Sequence, residues 1–443
     1  MSEPRLARRD WVPVDSESLV RRIAASTVAA PTKDTVRGRI DDLVTKNRTI
    51  HELECINLNP AANVMSPAAE ALLASSLGTR PSLGHPGAKY EMGLEAVEEI
   101  EVIAAELAAE VFDAPFAEVR IGSGALANLY SFMACCSPGD SIIVPPGSIA
   151  GHVTHNTAGA AGLYGLAIHE APVDPDRYTV DVDALRELAR RVRPKMITIG
   201  ASLNLTHHPV TEVREIADDV GATVLFDAAH LSGLIAGGAW PNPLHEGAHI
   251  MTMSTYKSLA GPPAGLLVAT DAAIAERVDA IAFPGLTANF DAANTAALAM
   301  TLLDWQSYGR DHAAAMVDTA QALAAQLLDR GLPVVTTADG SPTRSHAFAL
   351  RAEATSGDGH GLARQLREAN LLSSGIGLPG DGPDLMGAIR LGTNEMVRWG
   401  MTPNDMAFVA EAITRSISGE DRTAVALDVG DFRKRFTDVH FCS

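Results

Sequence analysis

The chain is poor in cysteine, in aromatic residues and in positive charge. Its 443 residues hold four cysteines, Cys55, Cys135, Cys136 and Cys442, and none forms a C-x-x-C pair. That usage excludes a zinc ribbon and a disulfide-stapled miniprotein, and no resident metal is expected. The adjacent pair in SFMACC reads as buried thiols in the reducing cytoplasm. Lys and Arg number 35 against 54 Asp and Glu, a formal charge of −19. A field of that sign repels phosphate backbones and anionic lipid, so neither nucleic acid nor a membrane is an expected partner. No uncharged apolar run has the length of a membrane span; the stretch between Lys257 and Asp271 is broken by two prolines. No apolar segment follows the charges of MSEPRLARRD, so a secretory leader is not expected.

What is present is a composition 47% hydrophobic, in a chain long enough for about two to three domains. Residues 1–60 read as an N-terminal helical segment, with DSESLVRRIAAS offering an Asp/Ser cap before an apolar face. From about residue 95 the text alternates. EAVEEIEVIAAELAAEVF repeats its apolar residues at helical spacing, and SIIVPP is a short apolar strand. DVDALRELARRVR, KMITIGAS, VTEVREIADDVG and ATVLFDAAH continue the alternation of helix and strand. Strands that are apolar on both faces, separated by helices, predict an α/β fold with a mostly parallel sheet. We place this large domain at 61–305. A smaller C-terminal α+β domain follows at 306–443, where Ala-rich helices mix with strands such as HAFALRA.

Between Gly247 and Thr270 the only Lys, Arg, Asp or Glu is Lys257, within HIMTMSTYKSLAGPPAGLLV. One reading is a loop lysine before a Gly/Pro turn. The other is an amine kept neutral by apolar surroundings, since burial disfavours the charged form. A neutral amine forms an imine with an aldehyde. Ser254 and Thr255, just before it, offer hydroxyls to a phosphate. Thirty residues upstream, Asp227 closes the strand ATVLFD at the edge where open sheets bind ligands. A lone Asp there is commonly a cap or turn former. Beside Lys257 it completes the pair that pyridoxal phosphate needs: a lysine for the aldehyde and a carboxylate that keeps the ring nitrogen protonated. His230 follows within a turn of the same site. IGSGALANLY at 121–130 adds a glycine turn running into a helix, an anion cradle that places Ser123, Gly124 and Ala125 at the phosphate.

With these residues in place the chain resembles the serine hydroxymethyltransferases, of the aspartate-aminotransferase-like fold type I, from about residue 52 to 415. SGALAN at 123–128 is similar to the family's SGSQAN, GHVTH at 151–155 to GGHLTH, and MSTYKSLAGPPAGLL to TTTHKTLRGPRGGLI. VLFDAAHLSGLIAGGAWPNPL is similar to the family strand that carries Asp and His, and GAS at 200–202 matches. AIRLGTNEMVRWG at 388–400 is similar to SGIRLGTPALTTRG. The resemblance implies that His152 stacks on the cofactor ring, that Ser202 and His230 lie near its phenolic oxygen, and that Arg390 holds the substrate carboxylate. It also implies a homodimer or homotetramer.

The departures from the family pattern converge on one ligand. The family's glutamate in YAEG falls on Leu83 and its tyrosine on Pro81. The serine of ASEN falls on Ala61, the second serine of SGS on Ala125, and the second Asn of NKNxxP on Ile376. The histidine before the lysine is Tyr256, and FPGGQGGP becomes FPGLTANF. In the family that glutamate and that Asn contact folate, whereas the cofactor and carboxylate positions persist here. The expectation is a folate-independent, pyridoxal-phosphate-dependent aldolase. It would cleave a β-hydroxy-α-amino acid, such as threonine or α-methylserine, to an aldehyde and a smaller amino acid. Lys257, Asp227, His152 and Tyr256 are the candidate catalytic residues, the last two as bases for the hydroxyl proton. A tetrahydrofolate-dependent glycine/serine hydroxymethyltransferase, a transaldolase and a non-catalytic cofactor-binding protein remain as alternatives.

Overall fold

The structure is a computed structural model that describes residues 4–352, 357–382 and 385–443. It divides into two units, Met1–Cys55 and Ile56–Ser443. The first holds two α-helices, Val14–Val28 and Lys33–Arg48, and a π-helical turn, Thr49–Glu54. Asp15 and Ser16 do not cap the first of these: its N-cap position is Pro13, and Asp15 and Glu17 lie within the opening turn, where acidic groups face the positive end of the helix dipole. Leu19, Ile23, Ile40, Leu43 and Val44 on the two helices are all exposed.

The larger unit is built on a seven-stranded sheet. Its spatial order is Phe116–Glu118, Gly265–Ala269, Ile250–Ser254, Thr223–Asp227, Met196–Ile199, Ser141–Val144 and Ala167–Glu170. The last five in that order run parallel, and Gly265–Ala269 is antiparallel to both of its neighbours. MITI, IMTMS and GLLVA are buried at every position, as strands covered on both faces must be. Helices return the chain between strands. Val182–Val192 is capped by Asp181, which accepts from the Ala184 N–H, and Val210–Val220 ends at Gly221 in the left-handed region.

A 38-residue helix, Ala292–Asp329, starts at the Asp291 cap and spans the proposed boundary at 305/306. Beyond it a small antiparallel sheet has the order Ala347–Arg351, Ala388–Gly392, Ser374–Ile376. Helices Gly359–Arg367, Met406–Ile417 and Arg422–Arg433 accompany it, giving the C-terminal part its α+β character. The segment after Ile56 pairs first with Leu371–Leu372 and then passes to the lysine loop, where the Asn63 amide donates to the Lys257 carbonyl at 3.0 Å.

Candidate active site

The parallel strands end together, and Asp227 closes one of them, only 6% exposed. Its Oδ2 accepts from His155 Nε2 at 2.8 Å and from Asn128 Nδ2 at 3.0 Å, and its Oδ1 accepts from the Ala229 N–H at 3.0 Å. Burial works against its charge. The hydrogen bond and charge of His155, with His152 and Asn128 behind them, nevertheless hold the carboxyl well below the usual carboxylate range. Asn128 is itself fixed, because Thr252 Oγ1, on the neighbouring strand directly across from Asp227, donates to its Oδ1 at 2.7 Å. The turn at 199–202 passes so close to this strand end that a Cβ on Gly200 would strike the Asp227 carbonyl oxygen, and its φ of +100° also favours glycine.

Asn128 also donates to Thr154 Oγ1 at 2.9 Å, and that hydroxyl lies 2.8 Å from His152 Nδ1. The Thr154 N–H donates to the same Nδ1 at 3.3 Å. An Nδ1 that accepts an N–H carries no proton, so neutral His152 presents Nε2–H. Burial, only partly offset by Asp227, lowers its pKa and favours that neutral form.

Lys257 follows the strand Ile250–Ser254 and is 5% exposed. The loop that carries it is held by Trp305 Nε1, which donates to the Leu259 carbonyl at 2.7 Å. Its Nζ lies 3.2 Å from His230 Nε2 and 6.0 Å from the centre of the Tyr256 ring. Burial pushes the amine down to about 8, with Asp227 pulling back and Arg390 adding to the fall. His230 is buried, and burial with Lys257 and Arg390 holds its pKa well below the usual value. Lys257 and Arg390 face its Nε2, which accepts, and among the described residues its Nδ1 has no partner.

Arg390 stands in the middle of Ala388–Gly392. Its Nε donates to Ser374 Oγ at 2.8 Å, and Nη1 donates to the Ser202 carbonyl at 2.9 Å and lies 3.4 Å from His230 Nε2. Among the described residues it forms no ion pair, and Nη2 makes no hydrogen bond. Burial lowers its pKa to about 10. A half-buried guanidinium held only by neutral acceptors is set for an anion from outside the chain.

The helix Gly124–Cys135 completes the set. Ser123 caps it, its Oγ accepting from the Leu126 N–H at 3.2 Å. A Cβ on Gly124 would collide with Ser254 Oγ, so glycine lets the helix start press against the end of the Lys257 strand. Ala125 is exposed beside it. This cradle fits a phosphate, Asp227 fits a protonated ring nitrogen, and Lys257 fits an aldehyde, which is the donor set of pyridoxal phosphate.

The structure therefore brings Ser123, Gly124, Ser254, Asp227, Lys257, His152, His230, Ser202 and Arg390 to one edge of the sheet, with Ser202 offering Arg390 its carbonyl. Tyr256 is 38% exposed next to the lysine. Of the positions where family polar residues are replaced, Ile376 is buried and Leu83 and Ala61 are half-buried. Sequence reasoning did not single out His155, Asn128 or Thr154. All three lie within the SGALAN and GHVTH matches, which was the signal that could have found them.

The family model for serine hydroxymethyltransferase matches residues 35–413. An α-methylserine aldolase of Variovorax paradoxus is 60% identical over 439 residues, covering 98% of this chain and 98% of that protein. One from a Ralstonia species is 54% identical over 440 residues, covering 98% and 99%. A serine hydroxymethyltransferase of Pyrobaculum neutrophilum is 39% identical over 406 residues, covering 91% and 94%.

Proposed function

This chain belongs to the serine hydroxymethyltransferase family of pyridoxal-phosphate enzymes, and we propose that within it the substrate is α-methylserine, cleaved without folate to formaldehyde and alanine. The general reaction is folate-independent cleavage of the Cα–Cβ bond of a β-hydroxy-α-amino acid, and the relatives named α-methylserine aldolase, matched over nearly their whole length, support it. The observation that carries the choice of substrate is the ordering of identities: 54% or more to the proteins named α-methylserine aldolase, against 39% to the hydroxymethyltransferase. Leu83, Ala61 and Ile376 support the loss of folate. A polar pterin facing such residues leaves buried groups unpaired, at roughly 1–3 kcal/mol each.

Pyridoxal phosphate, when bound, supplies an aldehyde that captures the amino group and a protonated ring that takes up the electrons of the breaking bond. Lys257 would hold the aldehyde, and its lowered pKa gives a usable fraction of neutral amine near pH 8. Asp227, kept ionised by His155 and Asn128, would hold the proton on the ring nitrogen. Arg390 binds the substrate carboxylate through its free edge and orients Cα. The β-hydroxyl loses its proton as formaldehyde departs, and Cα gains one to give alanine. Of the two candidate bases, His152 already uses its Nδ1 lone pair on Thr154, which makes its Nε2 a donor, and Tyr256 can take the hydroxyl proton only in its phenolate form.

We also place the protein in the reducing cytoplasm, which suits its sparse cysteine usage, and read it as a homodimer or homotetramer; a monomer mass by light scattering at micromolar concentration would refute the assembly. The substrate assignment is tested with the purified holoenzyme and racemic α-methylserine, measuring formaldehyde and alanine with and without tetrahydrofolate. The expected result is equal release of both products in either case. Turnover of serine alone, and only with tetrahydrofolate, would sink it.

A further inference from the structure

We infer that Ser374 and Asn59 are positioning residues that aim the Arg390 guanidinium at the substrate carboxylate while leaving its charge intact. The inference rests on Arg390 being the carboxylate anchor. Ser374 lies directly across from Arg390 in the small sheet, which brings its hydroxyl to the guanidinium. The Arg390 Nε–H donates to Ser374 Oγ at 2.8 Å, and the Ser374 hydroxyl donates onward to Asn59 Oδ1 at 3.2 Å. The direction of this relay is fixed at its far end. Asn59 Oδ1 also accepts from the Ala61 N–H at 3.1 Å, so the amide presents oxygen, and the serine proton points away from the arginine. Asn59 is held in turn, because its own N–H donates to Asn57 Oδ1 at 3.0 Å, and Asn57 Nδ2 donates to Glu395 Oε2 at 2.6 Å.

The strand that carries Ser374 is anchored from outside the site. The buried Tyr178 hydroxyl donates to the Gly377 carbonyl at 2.8 Å, and Asp381 Oδ2 accepts from the N–H groups of Leu378 at 2.7 Å and Gly387 at 2.8 Å. With Ser202 occupying Nη1, two fixed neutral acceptors set the plane of the guanidinium and leave Nη2 for the ligand. A carboxylate at position 374 would hold the plane equally well, but it would spend the positive charge within the chain. The neutral Ser–Asn relay separates orientation from neutralisation, which is what a carboxylate-binding arginine requires.

The test compares Ser374→Ala, Ser374→Thr, Ser374→Asp and Asn59→Ala holoenzymes with Arg390→Gln as reference. For Ser374→Ala the expected result is a rise in KM for α-methylserine of roughly tenfold, with kcat within about twofold, as loss of a hydrogen bond to a charged group gives. Ser374→Thr restores the KM. Ser374→Asp raises KM further than alanine does, and the cofactor affinity stays unchanged in all four. Asn59→Ala raises KM in the same direction by a smaller factor, and it provides the measurement if a Ser374 variant does not fold. A Ser374→Ala or Asn59→Ala enzyme that melts earlier but keeps the original KM overturns the inference, as does a Ser374→Asp enzyme that binds substrate normally. If Arg390→Gln itself leaves KM unchanged, the anchor reading fails instead, and the two failures are told apart.

Discussion

Two basic clusters of this molecule, one beside a helix of the large domain and one at the sheet edge, are resolved in opposite ways. Beside the helix Glu95–Phe112, Arg120 donates to both oxygens of Glu118, at 2.8 and 2.6 Å, and to Asp279 at 2.7 Å. Lys89 meets Glu101 at 2.5 Å, with the two side chains 2% and 7% exposed. Every cation there has a carboxylate. Burial opposes the charge on Arg120, but Glu118, Asp279 and Glu101 raise its pKa, while burial pushes the Glu101 carboxyl up against the pull of Lys89. At the sheet edge, neither Lys257 nor Arg390 forms an ion pair among the described residues, and burial lowers both, with the Asp227 charge only partly offsetting the fall at the lysine. The difference teaches how to separate structural charges from functional ones. A buried cation already paired serves the fold, and one left without a counter-charge has its partner in solution.

The comparison breaks most decisively at Lys257. Lys257→Ala should remove both turnover of α-methylserine and the visible absorbance of the bound cofactor, because no other amine is positioned for the aldehyde. An unchanged spectrum would mean that the unpaired lysine is not the attachment point.

A smaller and opposite effect is expected at the paired cluster. Arg120→Met strands Glu118 in a buried position, while Glu101 keeps Lys89, and should cost about 3–5 kcal/mol of stability, read from the shift of the urea midpoint. The kcat of the folded fraction should be unchanged. A variant of normal stability but reduced kcat would place that cluster in the chemistry.

The mildest test sharpens the contrast by pH. For apoenzyme mixed with pyridoxal phosphate, imine formation needs the neutral amine, whose fraction rises with pH up to its pKa. With Lys257 near 8, the initial rate should rise about fivefold from pH 7 to 8 and about twofold at most beyond. A rate that keeps climbing tenfold per pH unit to pH 10 would show an amine unshifted by its surroundings.

Much of this was legible in the sequence for a physical reason. Period and burial are local, so the helices Val182–Val192 and Val210–Val220 and the strands Met196–Ile199 and Thr223–Asp227 fall where the apolar pattern put them. The isolation of Lys257 was equally visible, because charge is written residue by residue. Contacts closed by folding leave no such mark. His155 and Asp227 are 72 positions apart, Ser374 and Asn59 are 315 apart, and nothing in either neighbourhood announces the other. The antiparallel course of Gly265–Ala269 was hidden for the same reason, since a strand buried on both faces reads alike in either direction.

The glycines at the strand ends set the terms for laboratory evolution of this scaffold. Gly124 has the Ser254 side chain where its Cβ would stand, and Gly200 has the Asp227 carbonyl oxygen. Randomising either codon would discard nearly every clone before substrate preference is ever sampled. Libraries aimed at new amino acids should hold these two codons constant and vary Leu83 and Tyr256, whose partial exposure leaves room for a change of shape.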